Sequence, residues 1–515
     1  MSAKSRLWRP IARHIRLIQA VGVALWLPFL ILSDYYDRGD VVTVLAVIGV
    51  LALLGWVFGR RPVVHTPVDV PLGLFLLLVP LNLLISADPA MSFPHAVKTV
   101  AGIVLFYAVA GVLVEKRSFR LAGWAICLLG LALVPVVLFG TSWPGSQKLS
   151  WIPYTISKNL PVRFRPFWKP TDYKGFNVNL AGGALAMVAP VPIAYLLFPG
   201  DGARGRGLRG LLRRVPAGMA GLLICGMLLL TQSRGAILAV AIAVGVMLAA
   251  RDWRWSIAVA VVVLAAVVVL ATGLLPTPAA LDLESDAASA VLSAAGRMAL
   301  YARAVTMIRD FPFTGIGVGL VNPALTHRYP LFSTTASTQL EHLHNLLLHT
   351  GAEMGIPGMV ALAAFLMGLL ALTWQAARRT ATSLSPLPGG SKGGELATAA
   401  ARAGLDSPAY MEPRAQLPTP AKRPGATTAS TAASLRAAHS SSLSPLPGGS
   451  KGGDPSLTLG MLGTVTVVIV HGITDAVTFS PRASIIAWAL FGVAAAVGIC
   501  HRTGHPRRRR RSRRP

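Results

Sequence analysis

Two imidazoles and an amide stand together in Glu341-His342-Leu343-His344-Asn345, and after nine intervening residues comes Gly355-Ile356-Pro357-Gly358. An ionisable ring at the edge of an apolar run is costly unless it has a partner or a task. Imidazole exchanges a proton near neutral pH, so His344 and His342 are candidates for activating a hydroxyl. The plain alternative is a pair of interfacial histidines bonded to backbone. A second polar island, Thr231-Gln232-Ser233-Arg234-Gly235, is wedged between two apolar runs. A guanidinium there keeps its charge when partly desolvated and binds phosphate through two parallel hydrogen bonds. It would equally serve a helix-hairpin turn with a snorkelling side chain. A third stretch holds Gly296-Arg297, Tyr301, Ile308-Arg309-Asp310, Pro312 and the glycine run Thr314-Gly315-Ile316-Gly317-Val318-Gly319. Those glycines lack the flanking strand, helix and distant acid of a dinucleotide fingerprint, so they read as a tight turn after a surface helix.

The elements that must hold these residues are membrane spans. Only 13% of the 515 residues are charged and 53% are hydrophobic, with a mean hydropathy of +0.59. A soluble domain carries roughly 25% charged residues, so a water-soluble class is excluded. Apolar blocks of spanning length suggest about twelve transmembrane helices. They fall near 17–33, 41–58, 68–86, 96–114, 121–140, 178–199, 216–232, 235–250, 255–274, 357–374, 457–473 and 483–500. With Lys4, Arg6, Arg9, Arg13 and Arg16 in the cytoplasm, every second connection is internal and holds the short basic clusters, from Arg60-Arg61 to Arg378-Arg379. This positive-inside bias accounts for most of the net charge of +28. The tail 501–515, with Arg507 to Arg511, is an orientation signal resting on anionic lipid, and nucleic acid is not an expected partner.

The main transmembrane domain is expected over 1–374, with outer connections at about 141–177 and 275–356, the second of them partly helical over Ala288–Met307. Residues 375–456 duplicate Ser-Leu-Ser-Pro-Leu-Pro-Gly-Gly-Ser-Lys-Gly-Gly, at 383–394 and 442–453. Such composition buries no core, and it reads as a disordered cytoplasmic insertion. The last two spans occupy 457–500. Cys127, Cys225 and Cys500 all fall in spans and suggest no disulfide framework. The first apolar run lacks a small-residue cleavage site and reads as a retained anchor.

His344-Asn345 with its nine-residue gap and Gly355-x-x-Gly358 resembles the signature of the O-antigen ligase and polymerase superfamily. Thr231 to Gly235 resembles that family's Thr-x-Ser-Arg-Gly element. Arg297 through Gly319 is similar to its Arg, aromatic, Asp-x-Pro, Gly-x-Gly stretch, and Asn179-Leu180-Ala181-Gly182 to a further recurrent element. The likeness runs from about 177 to 360, with a weaker match around Asp475; Met359 stands where the ligases usually have Thr or Val. The resemblance implies an all-α polytopic inner-membrane protein of GT-C-like architecture, both termini cytoplasmic and the active site periplasmic. It implies metal-independent, inverting transfer of a glycan from undecaprenyl pyrophosphate to lipid A-core, or in a polymerase to a carrier-linked repeat unit, with no cofactor. His344 and Asp475 would then be catalytic. Arg234, Arg297, Ser233, His342 and Asn345 would bind substrate, the arginines clamping pyrophosphate.

Two other readings use different features. Asp34, Asp37 and Asp40 in the first outer loop, with Asp282, Glu284 and Asp286, would suit a metal-dependent transferase. About twelve spans would also suit a transporter of bicarbonate or a lipid-linked glycan, although no half-to-half repeat is visible.

Overall fold

The structure, a computed structural model, describes residues 64–141, 177–198, 208–252, 294–330, 342–384, 454–476 and 484–503, with a few isolated positions besides. Residues 1–381 and 452–515 form one compact unit. Its described elements are α1 (Asp69–Ile85), α2 (Pro89–Lys116), α3 (Phe119–Gly140), α4 (Val178–Val188), α5 (Pro190–Leu197) and α6 (Leu208–Thr231). They continue with α7 (Arg234–Arg251), α8 (Ala294–Asp310), α9 (Val321–His327), α10 (Leu346–Leu384), α11 (Pro455–Thr474) and α12 (Ser484–Thr503). Among the described residues eight helices are long and apolar enough to cross a membrane, counting α4 and α5 as one broken at Ala189 before Pro190. The chain is an all-α, multi-pass membrane protein. The expected spans at 17–33 and 41–58, and nearly all of 255–274, lie outside the described residues, as do most of 141–177 and 275–293.

Helix ends gather at two poles, as they must when successive helices cross back and forth. At one pole Ser456 Oγ donates to the Phe198 carbonyl at 2.7 Å and Tyr195 to Asp454 at 2.8 Å. There Arg251 also lies 5.7 Å from the Phe198 ring and Arg502 bonds Gln375 at 3.0 Å. The opposite pole gathers the ends of α1, α6 and α11 and the starts of α2, α4, α7, α10 and α12. Close packing relies on small residues, as expected where lipid supplies no hydrophobic drive between helices. Gly102 of α2 lies under the Trp488 indole of α12, and Gly460 of α11 admits Val191. Phe106, Phe365, Trp488 and Phe491 form an aromatic knot joining α2, α10 and α12.

One helix is longer than the sequence suggests. Residues 346–356 read as outer connection because His349 and Glu353 interrupt the apolar run, yet α10 begins at Leu346. Asn345 starts it, its Oδ1 accepting from the Leu348 N–H at 2.9 Å. The helix breaks at Gly355 (φ 70°, ψ −175°), and the glycine run docks on the break. Ile316 N–H donates to Ala352 O at 2.9 Å, Gly317 N–H to Glu353 O at 3.1 Å and Ile356 N–H to Pro312 O at 2.7 Å. Backbone groups freed by the kink are thus satisfied internally, as an apolar setting demands. Asn82 of α1 seals the junction, donating to Thr314 O at 2.8 Å and Glu353 O at 2.9 Å and accepting from Val318 N–H at 2.7 Å. The described part of the surface helix spans Ala294–Asp310 and runs three residues past the expected end at Met307; residues 288–293 lie outside the described residues. At the far end α10 runs to Leu384, ten residues into the Ser/Pro/Gly-rich segment. The rest of that segment, to residue 453, lies outside the described residues.

Gly315 tests this junction. Its φ of +68° disfavours any Cβ, and a Cβ there would strike the Glu353 backbone. Gly315→Ala should cost about 1–3 kcal/mol, lowering the melting temperature of the protein in detergent. Gly73→Ala, at a helical glycine with nothing within 4 Å, should be neutral or slightly stabilising. Equal behaviour of the two variants would show that the glycine run does not depend on the docked geometry.

Candidate functional site

α11 ends where the Asp475 N–H donates to the His471 carbonyl at 2.8 Å and the chain becomes extended at Asp475 (φ −158°, ψ 150°). That extension turns the carboxylate toward the segment leading into α10. Asp475 is 2% exposed. Its Oδ1 lies 2.9 Å from His342 Nε2 and 3.3 Å from His344 Nδ1, and accepts from the Ala476 N–H at 2.8 Å. An ionised carboxylate only accepts, so His342 Nε2 carries the proton of that bond. Burial alone would raise the Asp475 carboxyl. The hydrogen bond from His342 and the closeness of His344 outweigh burial and hold it well below the usual carboxylate range.

His344 has a left-handed backbone (φ 49°) and is 6% exposed. Its ring stands 4.5 Å from that of His342. Because Nδ1 faces Asp475, Nε2 is the nitrogen turned away from the carboxylate. Asn345 does two jobs: besides starting α10, its Nδ2 donates to Ile473 O at 3.1 Å. Tyr301 of α8 clasps the same two segments, its hydroxyl reaching His344 O at 3.0 Å and Ile473 O at 3.1 Å. Burial raises the Tyr301 phenol, the Asp475 charge adds to this and the Arg297 charge opposes it.

Two arginines stand near this clasp. Arg297, one turn before Tyr301 on α8, is close enough to act electrostatically on both Tyr301 and His471. Its Nε is buried with no hydrogen-bond partner among the described residues. Arg234 is the exposed first residue of α7, after Gln232 in a left-handed turn (φ 52°). Gly235 is what brings that turn in: it abuts Thr474, and a Cβ there would come 3.3 Å from His471 Nδ1. Ser233 is buried against Gly182, whose missing side chain lets the Asn179–Gly182 segment of α4 close on the turn. Among the described residues neither Arg234 nor Arg297 forms an ion pair with a carboxylate.

Every site residue that the family resemblance implies therefore lies at one pole. His342, His344 and Asp475 are in direct contact; Asn345, Arg297 and Arg234 reach the group through Ile473, Tyr301 and Gly235; Ser233 lies beneath. His471 was not singled out, although its spacing four residues before Asp475 on a helix placed it on the same face. It is buried, and neither ring nitrogen has a partner among the described residues. The acids Asp34, Asp37, Asp40, Asp282, Glu284 and Asp286 lie outside the described residues. The ligand atoms of His342, His344 and Asp475 are within 4.8 Å of one another, a spacing that would suit a divalent ion. The same geometry serves a hydrogen-bonded histidine–carboxylate centre, with Asp475 orienting two rings.

Residues 219–363 match the model of the O-antigen ligase family. No curated protein matches the chain. The matched stretch holds Arg234, Arg297, both histidines and the kink at Gly355. Asp475 and the Asn179–Gly182 segment lie beyond it, and the fold carries both to the matched residues. Over residues 219–363 this multi-pass membrane protein is similar to the O-antigen ligase family.

Proposed function

We propose that the chain is a glycosyltransferase of the bacterial inner membrane, of GT-C-like architecture, with both termini cytoplasmic and the arginine pole facing the periplasm. It moves a glycan from undecaprenyl pyrophosphate to an acceptor hydroxyl, in the first instance on lipid A-core. The observation that carries this reading is a histidine–carboxylate centre with two arginines near it that have no carboxylate partner among the described residues. An acceptor hydroxyl oxygen attacks the anomeric carbon while the bond from that carbon to the pyrophosphate oxygen breaks. The carrier leaves with the electron pair, and the hydroxyl proton passes to His344 Nε2. A single displacement inverts the anomeric centre. Arg234 and Arg297 neutralise the charge growing on the leaving group, where electrostatic stabilisation is worth most. Permanent guanidinium charge supplies what a metal would otherwise provide.

The test uses purified chain, an undecaprenyl-pyrophosphate glycan, and lipid A-core or a carrier-linked repeat unit as separate acceptors, with and without EDTA. Transfer to lipid A-core, unchanged by EDTA, is the expected result. Lengthening of the carrier-linked chain instead would make the protein a polymerase, since both reactions use the same centre. Loss of transfer in EDTA, restored by added divalent ion, would assign His342, His344 and Asp475 to a metal. Vesicle flux of the lipid-linked glycan without any transfer would favour a transporter.

A further inference from the structure

Beside the histidine–carboxylate centre lies a second polar space with a volume of about 110 Å³. It is lined by His95, Lys98 and Thr99 of α2, by His349 and Glu353 of α10 and by Ser484 of α12, and His342 forms its border toward Asp475. The Trp488 indole and the backbone of Val318 and Gly319 supply apolar walls. Neither Arg234, Arg297, Tyr301 nor His471 lines it. His342 thus joins the histidine–carboxylate centre to a cavity that neither arginine lines.

The second space is built. Glu353 Oε1 accepts from the Gly319 N–H at 2.8 Å and stands 3.4 Å from His349 Nε2. Gly319 (φ +81°) lies against the His95 ring, so no side chain fits between them. His349 is 7% exposed and its Nδ1 is buried with no partner among the described residues. A buried ring nitrogen without a partner is costly, and a ligand hydroxyl would satisfy it. The wall alternates a carboxylate, an ammonium, imidazoles and hydroxyls around one flat aromatic face, which is the chemistry that recognises a polyhydroxylated ring. The volume holds on the order of four waters, room for the hydroxylated edge of one ring.

We propose that this cavity is the subsite for one sugar ring of the acceptor, an assignment that rests on the transferase reading above. The geometry of displacement argues for acceptor over donor. In an inverting transfer the leaving pyrophosphate and the attacking hydroxyl lie on opposite faces of the anomeric carbon. The arginines bind the leaving group and neither of them lines this cavity, which leaves the cavity to the acceptor. Glu353 and Lys98 hold the ring by its hydroxyls, and His342, bonded to Asp475, guides the attacking one toward His344.

The full chain in nanodiscs, undecaprenyl-pyrophosphate glycan, and whichever of lipid A-core or carrier-linked repeat unit the wild type uses provide the test. Ser484→Phe fills the cavity; Lys98→Met keeps the stem and removes the donor. Each should raise the acceptor KM about tenfold, the scale of one lost hydrogen bond to a charged group. The donor KM and the retention of undecaprenyl pyrophosphate, read by native mass spectrometry, should stay at the wild-type level. An unchanged acceptor KM in both variants overturns the subsite. So does a matching loss of carrier retention, which assigns the cavity to the donor or to the fold. A wild-type chain that retains no carrier and transfers to neither acceptor overturns the transferase reading, and the subsite with it.

Discussion

Asp475→Asn should reduce glycan transfer by about a hundredfold to ten-thousandfold, the range spanned by positioned acid–base groups, while the protein still inserts and retains carrier. The amide is nearly isosteric, so the end of α11 should keep its course. What changes is the chemistry at one atom. Asp475 Oδ1 accepts from His342 Nε2 and faces His344 Nδ1; an amide oxygen can stand in the same place, but it carries no charge to balance the one that forms when His344 takes a proton. Asp475 acts through the histidines and is a positioning residue, so its loss should appear in kcat more than in either KM. The carboxyl is held far below the usual range by His342 and His344 despite its burial. It therefore stays ionised throughout any practical assay, and the variant should be impaired by a constant factor across pH rather than show a displaced midpoint. For stability the sign is the usual one for a depressed carboxyl. Its contribution is complete above the unfolded-state value of about 3.9 and fades as pH falls toward the folded-state value. His342→Ala combined with Asp475→Asn should be little worse than the more impaired single variant, because residues that act as one unit are not additive. Additive losses would separate the pair, and wild-type kcat in Asp475→Asn would remove Asp475 from the mechanism.

Why Asp475, His344 and Arg234 were legible beforehand, and Asn82 and Glu353 were not, follows from what each costs. A charge or imidazole at the edge of an apolar run is conspicuous because the membrane penalises it. Its chemistry can be named before its neighbours are known. Asn82 and Glu353 are buried polar groups whose meaning exists only in the tertiary contact: one seals the glycine run to the break in α10, the other receives Gly319. The glycine run itself reads correctly as a turn. That it docks onto the kink at Gly355, some forty residues on, is a pairing between two motifs, and neither composition nor periodicity encodes it. The same gap explains the start of α10. His349 and Glu353 look like loop residues in a hydropathy trace, because the trace does not know that each faces the other and a polar cavity. Membrane class and the alternation of helix ends, by contrast, follow from span length and charge placement alone. The described helices agree with the membrane class.

The two arginines should not respond alike to substitution. Arg234→Ala and Arg297→Ala are each expected to lower kcat/KM for the undecaprenyl-pyrophosphate glycan by about 10²–10³-fold, the effect of removing one donor to a developing oxyanion. The lysine variants should divide them. Arg234 is exposed at the start of α7, where a flexible ammonium can reach the same phosphate oxygens. The helix N-terminus behind it adds its own partial positive charge. Lys should therefore recover much of the lost rate at Arg234. Arg297 is enclosed beside Tyr301 and His471 with its Nε buried, so its planar fork is placed by packing. An ammonium there keeps the charge and loses the fork and its contacts, and recovery should be slight. Salt gives a second reading of the same difference: contacts at the exposed Arg234 are screened more strongly than those at Arg297. Raising ionic strength should thus weaken carrier binding more in Arg297→Ala, which relies on Arg234, than in Arg234→Ala. Near-wild-type transfer in both alanine variants would dissolve the clamp. Full rescue by Lys at both positions would show that charge alone suffices and that the buried Nε has no part in holding the phosphate.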